Sequence, residues 1–376
     1  MNTNIPQTSL IAFMSNKVKQ SGGLNLAQGL PGFPPPEALL DCLSEIRQNS
    51  YHQYPPAVGN ASLLDVLHDG FSSYGIGRSQ LMITNGATEA ISLLYLYLSR
   101  KFKQFATLSF NPAYESFIHL PRIFGHTYHG FEIPENGQID LEAFRQQIIQ
   151  NEIKLVFLAS PGNPLGKIFS QAEMDAIVEM AEELGFYLII DMVYKDLYYD
   201  ILPYFPFASK SNKVFYTGSF SKTLSITGWR VGYLIAPADE MAGIHSVHDY
   251  VSLCSPAPLQ EAIARFMGNT EAFNSYLFQT RQRIIKASNL VSIALKDFGF
   301  KVYPVQGGYF IWAELPPTYH DGFNFAVDLY EKVRLAIVPG IHFSPTGTRF
   351  VRFSIARPEN EIDEALLCLK NYLSMK

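Results

Sequence analysis

Short runs of apolar residues alternate with helical patterns through the middle of the chain, and this alternation limits the folds open to it. The runs cover residues 81–84, 106–110, 155–159, 187–190, 214–216 and 233–235. They lack the polar residue at every second position that a strand with one solvated face shows, which indicates strands covered on both faces. We therefore predict an α/β fold with a mostly parallel central sheet between layers of helices.

The helical patterns lie between these runs. One covers residues 89–100. Another begins at Ser170, where Ser170 and Glu173 have the spacing of a capping box, and it ends near Gly185. Strands that alternate with helices in this way are typical of parallel strands joined by crossover helices.

The last third of the chain has a different pattern. A helical stretch over residues 271–295 precedes strand-like pieces and a final helix, at residues 301–305, 308–315, 337–338, 350–355 and 359–373. Strands and helices grouped in this way predict a smaller α+β domain. With the proline-rich residues 31–36 crossing between domains, we predict a large domain over residues 40–280 and a small domain formed by residues 1–39 with 281–376.

The composition excludes several classes of protein. Of the 376 residues, 47% are hydrophobic and 17% charged, and the net charge of -5 is not concentrated in any block, so we expect no nucleic-acid partner. No stretch approaches the ~20 apolar residues that span a bilayer, and residues 1–10 lack the features of a signal peptide. The three dispersed cysteines form no disulfide framework, which favours a cytoplasmic location.

A lysine flanked by hydroxyl residues follows the predicted strand 214–216. Lys222 lies within Ser-Phe-Ser-Lys-Thr, and Arg230 comes eight residues later. A lysine amine can form an imine with a carbonyl cofactor, while Ser219, Ser221 and Arg230 can hold a phosphate group. Taken alone, the segment fits a surface lysine in a serine-rich turn equally well.

Two further polar side chains follow predicted strands. Asp191 comes directly after residues 187–190, where a carboxylate is poorly solvated unless it has a cationic partner such as a protonated pyridine nitrogen. Asn163 lies in a turn of prolines and glycines after residues 155–159. Each has a commoner alternative when taken alone: a capping aspartate and a tight loop. Because ligands of open α/β sheets bind outside the carboxyl ends of the strands, we expect these side chains in one crevice.

A small-residue turn joins residues 81–84 to the next helix. Its Gly86, Ala87 and Thr88 place backbone N–H groups at a helix N-terminus, which suits a phosphate, although such turns are common. Histidines at i,i+3 spacing, in the pairs 126/129 and 245/248, have no cluster of carboxylates or cysteines nearby. We therefore expect surface or rim histidines and no metal site.

In their order and approximate spacing, these segments resemble the class I/II aminotransferases of fold type I, which depend on pyridoxal 5'-phosphate. The resemblance covers nearly the whole chain and includes residues 28–32, Tyr54, and residues 86–88, 112–114, 163–164, 191–194, 219–222, 230 and 352–354. The Gln-Gly-Xaa-Pro-Gly-Phe start and residues 248–250 are most similar to the methionine, glutamine and kynurenine-type branch. The chain departs from common family residues at Leu64, Leu165 and Met192.

The resemblance implies roles around the cofactor ring. Lys222 would hold the cofactor as a Schiff base and move a proton between the substrate Cα and C4′. Asp191 would keep the pyridine nitrogen protonated, so that the ring acts as an electron sink. Tyr194 and Asn163 would contact the ring 3-oxygen, and Tyr114 would stack on the ring face.

The resemblance also implies how the phosphate and the substrate are held. The phosphate would be bound by Gly86, Ala87, Thr88, Ser219, Ser221 and Arg230. Tyr54 of the partner subunit would help, which implies a homodimer with shared active sites. Arg352 would bind the substrate α-carboxylate as a planar fork, with Asn163 nearby and Gly29 beside it.

The expected activity is transfer of the amino group of a neutral L-amino acid to a 2-oxo acid. Relatives that prefer dicarboxylic substrates usually carry a second arginine some thirty residues beyond the lysine, whereas residues 231–264 contain neither Lys nor Arg and offer His245, His248 and Tyr250. We therefore expect methionine, aromatic or glutamine-like donors.

A C–S lyase or related eliminating enzyme shares the cofactor residues and stays open. A transcription regulator with an aminotransferase-like sensor is disfavoured, since the fold begins within the first ~30 residues.

Overall fold

A computed structural model describes residues 5–6, 8–46, 51–207 and 211–375 of the chain. Its strands are β1 (Leu24–Asn25), β2 (Leu81–Thr84), β3 (Ala106–Asn111), β4 (Thr127–Glu132), β5 (Ile153–Ala159), β6 (Tyr187–Asp191), β7 (Val214–Ser219), β8 (Gly232–Ile235), β9 (Lys301–Val302), β10 (Phe310–Glu314), β11 (Leu335–Ala336), β12 (Val338–Pro339) and β13 (Phe350–Ser354). Its α-helices are α1 (Leu10–Ser21), α2 (Glu37–Ile46), α3 (Ala61–Phe71), α4 (Ala87–Lys101), α5 (Glu115–Ile123), α6 (Leu141–Gln150), α7 (Gln171–Leu184), α8 (Phe220–Thr223), α9 (Ala238–Val251), α10 (Ala257–Gly268), α11 (Thr270–Asp297), α12 (Gly322–Val333) and α13 (Glu359–Leu373). None of these helices is both long and apolar enough to cross a membrane.

The large sheet contains seven strands in the order β2-β8-β7-β6-β5-β3-β4. Five neighbouring strands, from β7 to β4, run parallel, whereas β8 pairs antiparallel with both β7 and β2. The fold prediction of a mostly parallel sheet is therefore confirmed, and each of the six predicted strands is present. The edge strand β4 was not predicted, because its sequence Thr-Tyr-His-Gly-Phe-Glu is half exposed and contains no apolar run.

Both faces of this sheet are buried, which explains the unbroken apolar runs. Along β5, Val156 and Leu158 belong to one apolar cluster while Leu155 and Phe157 belong to another. Phe157 stacks on Phe117 of α5 with ring centroids 4.8 Å apart. A strand between two helical layers gains apolar contacts from every residue, so the alternation seen in half-exposed strands is lost.

The small sheet has the order β12-β13-β10-β9, and all its pairs are antiparallel. A separate parallel pair joins β1 to β11, so the N-terminal segment packs with the C-terminal third. The predicted strand over residues 301–305 ends at Val302, since Pro304 cannot donate a ladder hydrogen bond. The predicted strand over residues 337–338 is replaced by the short strands β11 and β12.

The division into domains stays a proposal. The apolar cluster around β10 and β13 draws on α1, α12 and α13 and supports a small domain built from both ends of the chain. The boundary predicted at residues 280 and 281 falls inside α11, a continuous helix of 28 residues. The three departures from the family, Leu64, Leu165 and Met192, are buried apolar residues.

The capping box of α7 should contribute measurably to stability. The Ser170 hydroxyl accepts a hydrogen bond from the Glu173 amide at 3.2 Å, and the Glu173 carboxylate accepts one from the Ser170 amide at 2.7 Å. We expect Ser170→Ala to lower the free energy of unfolding by about 1 kcal/mol, because a helix N–H loses its acceptor. Denaturant titration of the holoenzyme measures this, and Ser170→Thr, which keeps the hydroxyl, should stay near the wild type. Equal stability of the alanine variant would contradict this role.

Candidate active site

A cavity of about 240 Å³ lies at the carboxyl ends of β5, β6 and β7. It is lined by most of the residues that the sequence singled out: Gly29, Ala87, Thr88, Tyr114, Asn163, Asp191, Tyr194, Ser219, Ser221, Lys222, Arg230 and Arg352. Gly86 is the N-terminal cap residue of α4, directly before Ala87. The cavity therefore brings together residues that lie up to 323 positions apart, from Gly29 to Arg352.

The Lys222 side chain is partly buried and lines this cavity. It lies on α8, immediately after β7, and its Nζ donates a hydrogen bond to the Gly29 carbonyl oxygen at 2.7 Å. The Tyr309 hydroxyl donates to the same oxygen at 3.0 Å. Burial, together with the charges of Arg352 and Arg230, lowers the pKa of Lys222 to about 8 against the opposing effect of Asp191. A fraction of the amine is thus neutral near pH 7, as a nucleophile requires.

The Asp191 carboxylate ends β6 and is also buried. Its Oδ1 accepts a hydrogen bond from the Val193 amide at 3.0 Å. Burial raises the pKa of Asp191 to about 7, because that hydrogen bond and the charge of Lys222 only partly offset the loss of solvation. A carboxylate in this state is stabilised by a further cation, and a protonated pyridine nitrogen fits that requirement.

The Arg352 guanidinium is completely buried in the middle of β13. Its Nη1 donates to Asn163 Oδ1 at 2.8 Å and its Nη2 to the Ala27 carbonyl at 2.5 Å. The rings of Phe310 and Phe343 lie 4.1 and 4.8 Å from the guanidinium carbon. Burial lowers the pKa of Arg352 to about 10, so it stays charged at neutral pH. A fixed planar cation of this kind matches a carboxylate.

Several hydrogen-bond donors line another part of the cavity. The first turn of α4 begins at Ala87, the Ser219 hydroxyl donates to Ser221 Oγ at 2.9 Å, and Arg230 donates to the carbonyls of Asn85 and Thr227, each at 3.1 Å. Gly86 has φ 80, and a Cβ there would lie 2.5 Å from Arg230 Nη2, so glycine lets the arginine approach the turn. Helix N–H groups, two hydroxyls and a guanidinium are a donor set suited to a phosphate.

Aromatic side chains enclose the centre. Tyr194 is buried, and its ring meets Tyr309 and Phe310 edge to face at 5.3 and 5.8 Å. Burial raises the pKa of Tyr194, which keeps its hydroxyl protonated as a hydrogen-bond donor. The Tyr114 hydroxyl lies 3.4 Å from Thr88 Oγ1, between the ring region and the donor set.

Some expected residues lie elsewhere. Tyr54 is 84% exposed and does not line the cavity of its own chain. None of residues 231–264 lines it either, so the expected contribution of His245, His248 and Tyr250 is wrong for the described protomer. The expectation of surface histidines is also wrong for His126 and His248, which are buried; His126 Nδ1 lies 2.6 Å from the Tyr95 hydroxyl.

The sequence did not identify several residues in or beside the cavity. Tyr309 donates to the Gly29 carbonyl that also accepts from Lys222, and the rings of Phe310 and Phe343 pack on Arg352. Aromatic residues near strands predict only a place in the core. Glu115 directly follows the matched residues 112–114, and an acidic residue in the first turn of a helix is common without any role in binding. Glu115, Thr88 and Tyr114 also line an adjoining outer cavity of about 650 Å³.

Comparisons with known proteins identify the family of the chain. The family model for aminotransferase class I and II matches residues 21–368. The chain is 27% identical to a probable aspartate aminotransferase of Methanocaldococcus jannaschii, over 92% of each chain. It is 25% identical to the methionine aminotransferase of Escherichia coli, over 96% of this chain and 95% of that one. The solved structure of N-succinyldiaminopimelate aminotransferase from Mycobacterium tuberculosis is 26% identical and superposes with a TM-score of 0.88, covering 97% of both chains.

The lowered pKa of Lys222 can be measured on the chain without cofactor. We expect its amine to react with acetic anhydride with a midpoint near pH 8, because burial favours the neutral form. Mass spectrometry of the labelled peptides gives the pH profile. Lys101, whose pKa is raised because its contacts with Glu240 outweigh burial, is the internal reference and should react only at higher pH. A Lys222 profile that coincides with that of Lys101 would rule out the lowered pKa.

Proposed function

Because the chain belongs to the class I and II aminotransferases, a family of pyridoxal 5'-phosphate-dependent enzymes, we propose that it transfers the amino group of a neutral L-amino acid to a 2-oxo acid. Methionine, aromatic amino acids and glutamine are the donors we favour. The observation that carries this proposal is the placement of the partly buried amine of Lys222, the buried carboxylate of Asp191 and the buried guanidinium of Arg352 around one cavity.

The residues of the cavity fit the cofactor in every part. When bound, pyridoxal 5'-phosphate supplies an electron-poor ring that accepts the electron pair left on the donor Cα. Asp191 keeps the ring nitrogen protonated, Asn163 and Tyr194 donate hydrogen bonds to the ring 3-oxygen, and Tyr114 covers one ring face. The phosphate is held by Gly86, Ala87, Thr88, Ser219, Ser221 and Arg230.

Lys222 carries the covalent and proton-transfer chemistry in this proposal. Lys222 would hold the cofactor covalently through its carbonyl carbon. As a free amine, its Nζ would accept a proton from the donor Cα and later donate one back. A pKa of about 8 suits both the uptake and the release of a proton by Nζ, since the amine gains and loses a proton near neutral pH.

Arg352 positions the donor. Its guanidinium is fixed between Phe310 and Phe343 and by its bond to Asn163, so it binds the α-carboxylate without first losing side-chain freedom. Gly29 lies beside this carboxylate, and its carbonyl holds Nζ of Lys222 on the other side. The donor Cα is thereby kept next to the amine.

The preference for neutral donors rests on the charges around the cavity. Three Lys or Arg side chains line it, Lys222, Arg230 and Arg352, and each already has a role in this proposal. Lys17, a cation of the N-terminal helix α1, pairs with Glu331 at 2.6 Å. Within this inner cavity, the described residues therefore leave a distal carboxylate without a cation, at a cost of several kcal/mol. Among the relatives, one is named for methionine and another for aspartate.

We also propose a homodimer and a cytoplasmic location. The exposed Tyr54, followed by Pro55 and Pro56, suits a stiff segment that reaches the phosphate site of the partner subunit. Cys42, Cys254 and Cys368 are free thiols, as is usual in a reducing compartment.

The donor profile tests the proposed activity. With one shared 2-oxo acid, kcat/KM for methionine, phenylalanine and glutamine should exceed that for aspartate by at least about tenfold, because each neutral side chain avoids the desolvation cost of a carboxylate. The product assay separates the alternative: a transaminase forms a new amino acid only with the 2-oxo acid present, whereas a C–S lyase releases ammonia without it. Aspartate as the preferred donor would overturn the proposed substrate class.

The Asp191 carboxylate should be needed for rate more than for binding. We expect Asp191→Asn to keep bound cofactor but to slow the half-reaction with methionine by orders of magnitude, since an amide cannot hold the ring proton. Rapid-mixing spectroscopy of the cofactor band measures the step. Asp191→Glu, which retains the charge, should recover part of the rate, and near-normal turnover of the asparagine variant would remove Asp191 from the mechanism.

Tyr54 should act across a subunit interface. We expect sedimentation to give a dimer and Tyr54→Phe to weaken cofactor binding several-fold, because one hydrogen bond to the phosphate is lost. Tyr74, which is also exposed, provides a matched Tyr74→Phe control that should leave cofactor affinity unchanged. A fully active monomer would contradict the shared site.

A further inference from the structure

Glu115 lies at the junction of the two adjoining cavities. Thr88, Tyr114 and Glu115 line both the inner cavity, which holds Lys222, and the larger outer cavity. Of these three shared residues, Glu115 alone carries a charge. A side chain that extends from the inner cavity to the outer one therefore passes this carboxylate.

The carboxylate is held by two groups from distant parts of the chain. The Ser9 hydroxyl donates to Glu115 Oε2 at 2.8 Å, although Ser9 precedes α1, where a serine usually caps its own helix. Nε2 of His342 lies 3.0 Å from the same oxygen. Within the described residues, Glu115 Oε1 accepts no hydrogen bond, so one acceptor is left for a ligand.

Glu115 is ionised at neutral pH. Burial alone would raise its pKa, but His342, Ser9 and His119 outweigh this effect and lower it. Burial and the charge of Arg122 lower the pKa of His119, so His119 itself is neutral at pH 7. Arg122 lines the outer cavity, and its guanidinium carbon lies 5.7 Å from the centre of the Tyr128 ring. The junction therefore presents a carboxylate.

We propose that Glu115 selects the side chain of the amino donor. It repels a distal carboxylate, as in aspartate or glutamate, and its free oxygen accepts a hydrogen bond from a neutral side chain that carries an N–H group, glutamine above all. This inference rests on the proposed function, because it takes the donor α-carboxylate to be bound at Arg352. The Glu115 carboxylate repels a distal carboxylate of the donor strongly, because little solvent screens the two charges. The amide N–H of a neutral side chain instead donates a hydrogen bond to the free oxygen of Glu115.

Glutamine and glutamate test this directly, because they have nearly the same shape and differ in charge. In Glu115→Gln, we expect the ratio of kcat/KM for glutamine to that for glutamate to fall at least about tenfold. Glu142→Gln removes an equal charge from the exposed face of α6 and should leave the ratio unchanged. Ser9→Ala removes a contact of Glu115 but keeps its charge, and should also preserve the ratio.

A binding measurement avoids turnover. Glutarate and its monoamide compete with the donor, and the inhibition constant of glutarate relative to the monoamide should fall by a similar factor in Glu115→Gln and in a second variant, Glu115→Ala. Ratios equal to the wild type in both variants would overturn the role of Glu115.

The donor profile of the wild-type enzyme tests the proposed function separately. If aspartate were the preferred wild-type donor, the proposed substrate class would fail. The change of the ratio in the Glu115 variants would still decide the role of Glu115.

Discussion

Three charged side chains, those of Lys222, Asp191 and Arg352, are buried or partly buried together where the strands of the large sheet end. Charge that is removed from water is unfavourable unless partners replace the lost solvation, and each of these groups shows the consequence: the amine and the guanidinium have lowered pKa values, and the carboxylate has a raised one. A protonated ring nitrogen would satisfy Asp191, a carbonyl carbon would satisfy Lys222, and the α-carboxylate of an amino donor would satisfy Arg352.

The rest of the chain holds these groups in place. The large sheet supplies Asp191 and Lys222 from neighbouring strands, whose ends are fixed by a ladder of parallel hydrogen bonds. Arg352 comes from the small sheet, and its bonds to Ala27 and Asn163 tie that sheet to the N-terminal segment and to the turn after β5. The Gly29 carbonyl completes the connection by accepting from the Lys222 amine. The contacts that join the two halves therefore also fix the positions of Arg352 and of the Lys222 amine.

The local sequence pattern pointed to the candidate residues that follow strands of the large sheet. Lys222 and Asp191 could be singled out as candidates, Lys222 by its flanking hydroxyl residues and Asp191 by its place after an apolar strand. Each pattern alone had an alternative, and the roles came from the family resemblance. Arg352 could not be reached in this way, since it lies on an antiparallel sheet far along the chain, and it was assigned from family resemblance alone. The antiparallel direction of β8 and the placement of Glu115 between two cavities depend on tertiary packing, which leaves no periodic pattern in the sequence. The burial of His248 was missed because a histidine in a polar helix stretch is usually exposed.

The central claim is that the partly buried amine of Lys222, and no other lysine, binds the cofactor. Reduction of the holoenzyme with borohydride, followed by peptide mapping, tests it most directly, because reduction fixes the carbon–nitrogen bond where it forms. The account predicts one labelled peptide, containing Lys222, and no label at this position in Lys222→Ala. Label on any other lysine of the wild-type enzyme would contradict it.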